Sequence, residues 1–164
     1  MVMTTEQQLL FQLGEGRWLV PLLNLFAEEP ERRFAVLRRQ LDLSPTQLIR
    51  ALDQLLAKGW IQKNPGHGHP LRPDYLLTVD GTVPAHYAKA IDAARVKSAL
   101  APNHLTRWSL ALLPPLADRP QRFSHLEALM PTITPRALSQ SLQQGMRHEL
   151  FSRQILTGHP PAAL

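Results

Sequence analysis

Apolar residues recur at helical spacing along most of the chain. Leu19, Leu22, Leu23 and Phe26 share one face, which predicts a helix over about 18–27 that Pro30 prevents from extending. A shorter helix over about 5–13 precedes it, with Thr4 or Thr5 as N-cap and Gly14 and Gly16 as breakers. Phe34, Leu37 and Leu41 predict a third helix over 34–41, its opposite side carrying Arg32, Arg38 and Arg39. Ser44 and Pro45 then form a strong helix start, since serine caps free amides and proline suits the first helical position. That helix runs to about Lys58 and stops at Gly59, with Leu48, Leu52, Leu55 and Leu56 as its core stripe. Only Asp42 and Leu43 separate the two helices, which is the spacing of a helix-turn-helix.

Beyond Gly59 the period changes. Trp60 to Lys63 reads as a short strand, 64–70 as a turn-rich tip and Asp74 to Val79 as the returning strand. A helix-turn-helix followed by a hairpin is a winged helix. Pro84 opens another helix, about 85–100, with Tyr87, Ala90, Ile91, Ala94 and Val96 as its apolar face, and 101–103 is a joint. Then come an apolar helix over about 105–116, broken or bent at Pro114 and Pro115, and a short helix over 124–129. A second helix of recognition type follows, starting at Thr134-Pro135 and reaching His148. A strand over 150–156 is the last expected element, with little room left for its partner, so this unit reads as truncated.

The two halves repeat one another. Arg17 and Trp18 recur as Arg107 and Trp108, 90 residues on, and Pro30 as Pro120 at the same offset. Arg33, Phe34 and Leu37 return as Arg122, Phe123 and Leu126, one residue closer. Leu43, Ser44 and Pro45 return as Ile133, Thr134 and Pro135, and Leu48 and Leu52 as Leu138 and Leu142. The expected fold is therefore mainly α with a small β-hairpin wing, as tandem winged helix-turn-helix units: residues 1–100, and residues 101–164 as the truncated one.

Composition narrows the function classes. Of 164 residues 44% are hydrophobic, enough for a packed core. No apolar run reaches the roughly 18 residues a membrane span needs, and the N-terminus lacks a signal-peptide pattern, so a cytoplasmic protein is expected. The chain has no cysteine, which excludes disulfides, thiolate zinc sites and thiol sensing. The net charge of +5 suits a polyanionic partner. Its distribution is more telling. Residues 32–72 carry eight basic side chains against Asp42 and Asp53, in the segment that holds the helix-turn-helix.

Candidate chemistry follows from that location. Arginine pairs with guanine and glutamine with adenine in the major groove, so Gln47 and Arg50 are candidate base contacts. Arg32, Arg33, Arg38 and Arg39 are candidate phosphate contacts, although Arg33 and Arg122 equally suit a structural role before the core phenylalanine. Ser44 caps its helix and can direct backbone amides at a phosphate. Arg136, Gln140, Gln143, Gln144 and Arg147 form the corresponding polar surface of the second unit. His67 and His69 make a poor metal site without a nearby carboxylate or cysteine. Phosphate loops, nucleophile elbows and zinc-protease motifs are missing from the sequence, so neither an enzyme nor a cofactor is expected.

The segment from Phe34 to Gly59, with Arg17-Trp18 before it and Arg72 to Gly81 after it, resembles HxlR-type winged-helix transcription regulators. The resemblance covers about Gly16 to Arg95, and the second unit resembles only the front half of the pattern. It implies a homodimer that regulates transcription by binding double-stranded DNA, with one helix in the major groove and the wing on the backbone. Carried onto this chain, helix contacts fall near Ser44, Thr46, Gln47 and Arg50, and wing contacts near Lys63 and Arg72. Relatives usually hold one unit per chain. Here a second unit either stands in for a dimer partner or adds a packing surface. Two further readings remain open: a winged-helix scaffold for protein association, and a nonspecific nucleoid-type DNA binder. No motif names a small-molecule effector.

Overall fold

The computed structural model describes residues 5–64, 74–100, 108–117 and 119–154. Eight helices and three short strands follow one another in these stretches: α1 (Thr5–Leu13), α2 (Leu19–Glu28), β1 (Glu31–Arg32), α3 (Phe34–Leu41), α4 (Pro45–Ala57), β2 (Ile61–Lys63), β3 (Tyr75–Leu77), α5 (Thr82–Lys97), α6 (Ser109–Ala117), α7 (Phe123–Leu129) and α8 (Pro135–Arg147). The fold is mainly α with a small antiparallel sheet, a winged helix-turn-helix.

Helix α2 is apolar nearly all round, and such a helix belongs inside. Its Leu19, Leu22, Leu23 and Phe26 are fully buried, and it packs against α3, α4 and α5. Leu37 of α3, Leu48, Leu52 and Leu55 of α4, and Ala85 and Ala88 of α5 close this core. Helix α5 begins at Thr82, so Pro84 lies in its first turn, where a missing amide does no harm. Its inner face is Pro84, Ala85 and Ala88 with Tyr87 and Ile91 partly buried; the expected core positions Ala90, Ala94 and Val96 are exposed.

A second core gathers Trp108, Ala111, Leu112, Leu126, Met130, Ile133 and Leu138. The two cores meet where α1 packs on α6. Phe11 of α1 lies against the second core, whereas Leu110 and Leu113 of α6 lie against the first. Gly14 permits this approach, because a Cβ there would sit 2.7 Å from the backbone nitrogen of Ala111. Pro114 and Pro115 do not break α6, which continues to Ala117; Gln121 Nε2 donates to the Pro115 carbonyl at 3.0 Å. Trp108 is buried as an anchor, but its counterpart Trp18 is only partly so, with the Arg17 guanidinium 5.0 Å from the ring centroid.

The sheet has three strands where the sequence predicts two. β3 lies in the middle, pairing antiparallel with β2 (Lys63 opposite Tyr75) and with β1 (Arg32 opposite Tyr75). The wing tip, with His67, His69 and Arg72, lies outside the described residues. Residues 150–154 form no strand, against expectation, and 155–156 lie outside the described residues. The Phe151 ring instead occupies the space beside Gly145 of α8.

The 90-residue repeat extends to the ends of the helices. α4 closes with Gly59 at a φ of 71°, where Trp60 N–H donates to Leu55 O and Gly59 N–H to Leu56 O. α8 closes in the same way, with Leu150 N–H on Gly145 O and Glu149 N–H on Met146 O. Here Glu149 takes the left-handed conformation, at a φ of 59°. A side chain is disfavoured there and glycine is not, so Glu149→Gly is expected to raise unfolding stability by about 1 kcal/mol, as read from urea unfolding.

Candidate nucleic-acid interface

The candidate surface is built on α3, α4 and the base of the wing. Helix α3 ends on Asp42, which adopts a left-handed conformation at a φ of 51° that aspartate tolerates better than most residues. The chain then reverses. Leu43 N–H donates to Arg38 O at 3.1 Å, and the Leu43 side chain is buried beneath the turn. Arg38 closes the same turn from outside, its Nε donating to Leu43 O at 3.2 Å.

Ser44 and Gln47 form a reciprocal cap at the start of α4. Ser44 Oγ accepts from Gln47 N–H at 3.2 Å, and Gln47 Oε1 accepts from Ser44 N–H at 3.0 Å. Gln47 Oε1 is therefore engaged within the chain, and the bidentate donor-and-acceptor pairing expected for adenine requires opening the cap. Ser44→Ala is expected to lower stability by about 1 kcal/mol in thermal or urea unfolding, because Gln47 N–H then loses its partner.

Thr46 and Arg50 are exposed, and their side chains make no hydrogen bond or ion pair among the described residues. With Asp53 and Ala57 they follow one another at helical spacing, opposite the buried Leu48, Ala51, Leu52 and Leu55. Ile49 beside them is 47% exposed. Arg39 on α3 is likewise exposed and unengaged. Lys63 ends β2, exposed, at the wing base. Arg38, Arg39, Ser44, Thr46, Gln47, Arg50 and Lys63 thus all reach solvent on α3, its turn, α4 and β2; Arg72 lies outside the described residues.

The wing base is tied to α3. Phe34 N–H donates to Asp74 Oδ2 at 2.8 Å, which supplies the cap that Arg33 does not. Asn64 N–H donates to Asp74 O at 2.9 Å and extends the hairpin by one rung. Burial, reinforced by the Asp74 and Asp53 carboxylates, raises the Tyr75 phenol above its ordinary value.

Arg32 does not belong to this surface. It is 6% exposed and sits in β1, not on the outer side of α3. Its Nη2 donates to Leu25 O at 2.5 Å and its Nε to Glu29 O at 3.1 Å, so the guanidinium caps the end of α2. Glu28 and Glu29 face it at 3.8 and 3.5 Å. Glu28 and Glu29 are thus counter-ions of this buried arginine. Arg32→Ala is expected to cost about 1–3 kcal/mol of stability, measured by urea unfolding, because Glu29 O loses its side-chain donor and Leu25 O keeps only the Glu29 N–H.

The second half repeats the geometry with changes. Thr134 caps α8 by accepting from Ala137 N–H at 3.2 Å, and Pro135 occupies the first helical position. The turn between α7 and α8, residues 130–134, is two residues longer than that between α3 and α4. Arg136, Gln140, Gln143, Gln144 and Arg147 are exposed. No group of three or more His, Cys, Asp or Glu side chains among the described residues is arranged to hold a metal ion, and no described helix is long and apolar enough to cross a membrane.

Comparison with known proteins gives one family. Residues 105–163 match the HxlR-like helix-turn-helix family model. The match contains α6, α7 and α8. It falls on the stretch in which the sequence displayed only the front half of the pattern, and not on the Gly16–Arg95 stretch that carried the resemblance. No curated protein and no solved structure matches the chain. Over residues 105–163 the chain is thus similar to the HxlR-like helix-turn-helix family.

Proposed function

We propose that this protein is a transcription regulator that reads duplex DNA through a winged-helix unit, residues 1–100, in tandem with a truncated, winged-helix-like unit, residues 101–164. The observation that carries the reading is the capped helix α4, repeated as α8 within the HxlR-like match. On this reading Thr46 and Arg50 of α4 meet base edges, since both can donate hydrogen bonds and both are exposed and unengaged. Gln47 contributes its amide nitrogen while its oxygen holds the cap. Arg39 and Lys63 meet phosphates on either side, and Arg38 does so with the guanidinium nitrogens not used on Leu43. Arg72 in the wing joins them. Ser44 keeps α4 capped and presents amides at the helix start.

The experiment is competition between a duplex enriched by the protein from a random pool and random duplex of equal length. A regulator prefers the enriched duplex by a factor on the order of a thousand or more. A ratio near one would mean nonspecific, nucleoid-type binding. Absence of binding to either duplex would leave the paired units as a protein-association scaffold.

A further inference from the structure

The sequence repeat puts different side chains on the two corresponding helices. On α4 the exposed stripe opposite the core is Thr46, Arg50, Asp53 and Ala57. Ninety residues on, the α8 stripe is Arg136, Gln140, Gln143 and Arg147, opposite the buried Leu138, Ser141 and Gly145. All four positions differ. The chemistry differs too. Asp53 is a carboxylate, which repels phosphate and accepts from cytosine, whereas the α8 stripe has no carboxylate and bears a cation at each end. Position 47, whose glutamine oxygen is spent on the cap of α4, is alanine at 137, so Thr134 caps α8 alone. The side chains of Arg136, Gln140, Gln143 and Arg147 have no hydrogen bond or ion pair among the described residues. Arg122 and Arg153 add exposed positive charge nearby in sequence, on the N-cap of α7 and beyond α8.

A homodimer presents the same helix twice and reads a palindrome, because site symmetry mirrors protein symmetry. Two units with corresponding helices and different outward stripes have no such symmetry to impose. Resting on the DNA reading proposed above, we infer that α8 is a second base-reading helix of different specificity from α4, so that one chain recognises a bipartite, non-palindromic duplex site. Arg136 and Gln140 occupy the positions of Thr46 and Arg50 and discriminate bases in the second element. Gln143 extends that contact, and Arg147 holds the backbone.

The test is enrichment of binding sites from random duplexes by the full chain. Affinity and stoichiometry on the enriched duplex then follow for the full chain, for Arg50→Ala, and for the double variant Arg136→Ala/Gln140→Ala. These positions are exposed, and circular dichroism checks that each variant remains folded. The expected site has two unlike elements at fixed spacing and binds one chain. The double variant loses about tenfold or more in affinity, and that loss disappears on a duplex in which one element is scrambled. Scrambling the other element removes the effect of Arg50→Ala instead. A single element indifferent to the α8 variant, or a palindrome bound by two chains, overturns this inference and leaves DNA reading by α4 standing. Binding without enrichment, or no binding, overturns both.

Discussion

Replacing Arg39 and Arg50 together by alanine is expected to weaken binding to the preferred duplex by roughly 10- to 100-fold while leaving the fold intact. Both side chains are exposed and bond to nothing among the described residues, so their removal breaks no internal contact. Their roles separate in the salt dependence. Arg39, as a phosphate contact, contributes a slope of about 1 in the logarithm of affinity against the logarithm of salt, and its loss weakens all sequences alike. Arg50, as a base contact, carries discrimination, and its loss falls on one base position. Arg38 is left in place deliberately, since its Nε holds the turn through Leu43 O, and its removal would mix a structural effect with an electrostatic one. Equilibrium titration at several salt concentrations, with circular dichroism of the variant, checks both parts.

The largest effect on stability is expected at Phe26. Its side chain is fully buried on α2, the helix that α3, α4 and α5 all pack against. Truncation to alanine removes apolar contact and opens a cavity among leucines already close-packed, at a cost of about 3–5 kcal/mol. That is a large fraction of the roughly 5–15 kcal/mol by which ordinary domains are stable, so urea unfolding should show either a strongly lowered midpoint or a chain unfolded in water. DNA binding should fall with it, because α4 is held in place through α2.

What was legible in the sequence was local. Ser44 and Pro45 mark the start of α4, Gly59 marks its end, and the residues between them have a single apolar face, so α4 is read almost to the residue. The offset that turns Ser44-Pro45 into Thr134-Pro135 likewise returned the bounds of α8. The signature Ser-x-x-Gln at 44–47 announces a reciprocal cap, and it could have warned that Gln47 is partly engaged. What was illegible depends on contacts between distant segments. β1 is two residues long and exists because β3 pairs with it. Nothing local distinguishes Arg32 from Arg33, yet one is buried against the end of α2 and the other is exposed. The entry of Phe11 into the second core, and of Leu110 into the first, follows from the packing of α1 on α6 and from no periodicity in either helix.

The central claim is that the chain binds duplex DNA through its helix-turn-helix surface. Titration of the purified full chain against random duplex at about 50 and 200 mM salt tests it most directly, with the Arg39→Ala/Arg50→Ala variant alongside. The account predicts measurable binding at the lower salt, a steep loss at the higher, and a shallower dependence in the variant. No binding at low salt, or binding that neither salt nor the variant alters, would contradict it.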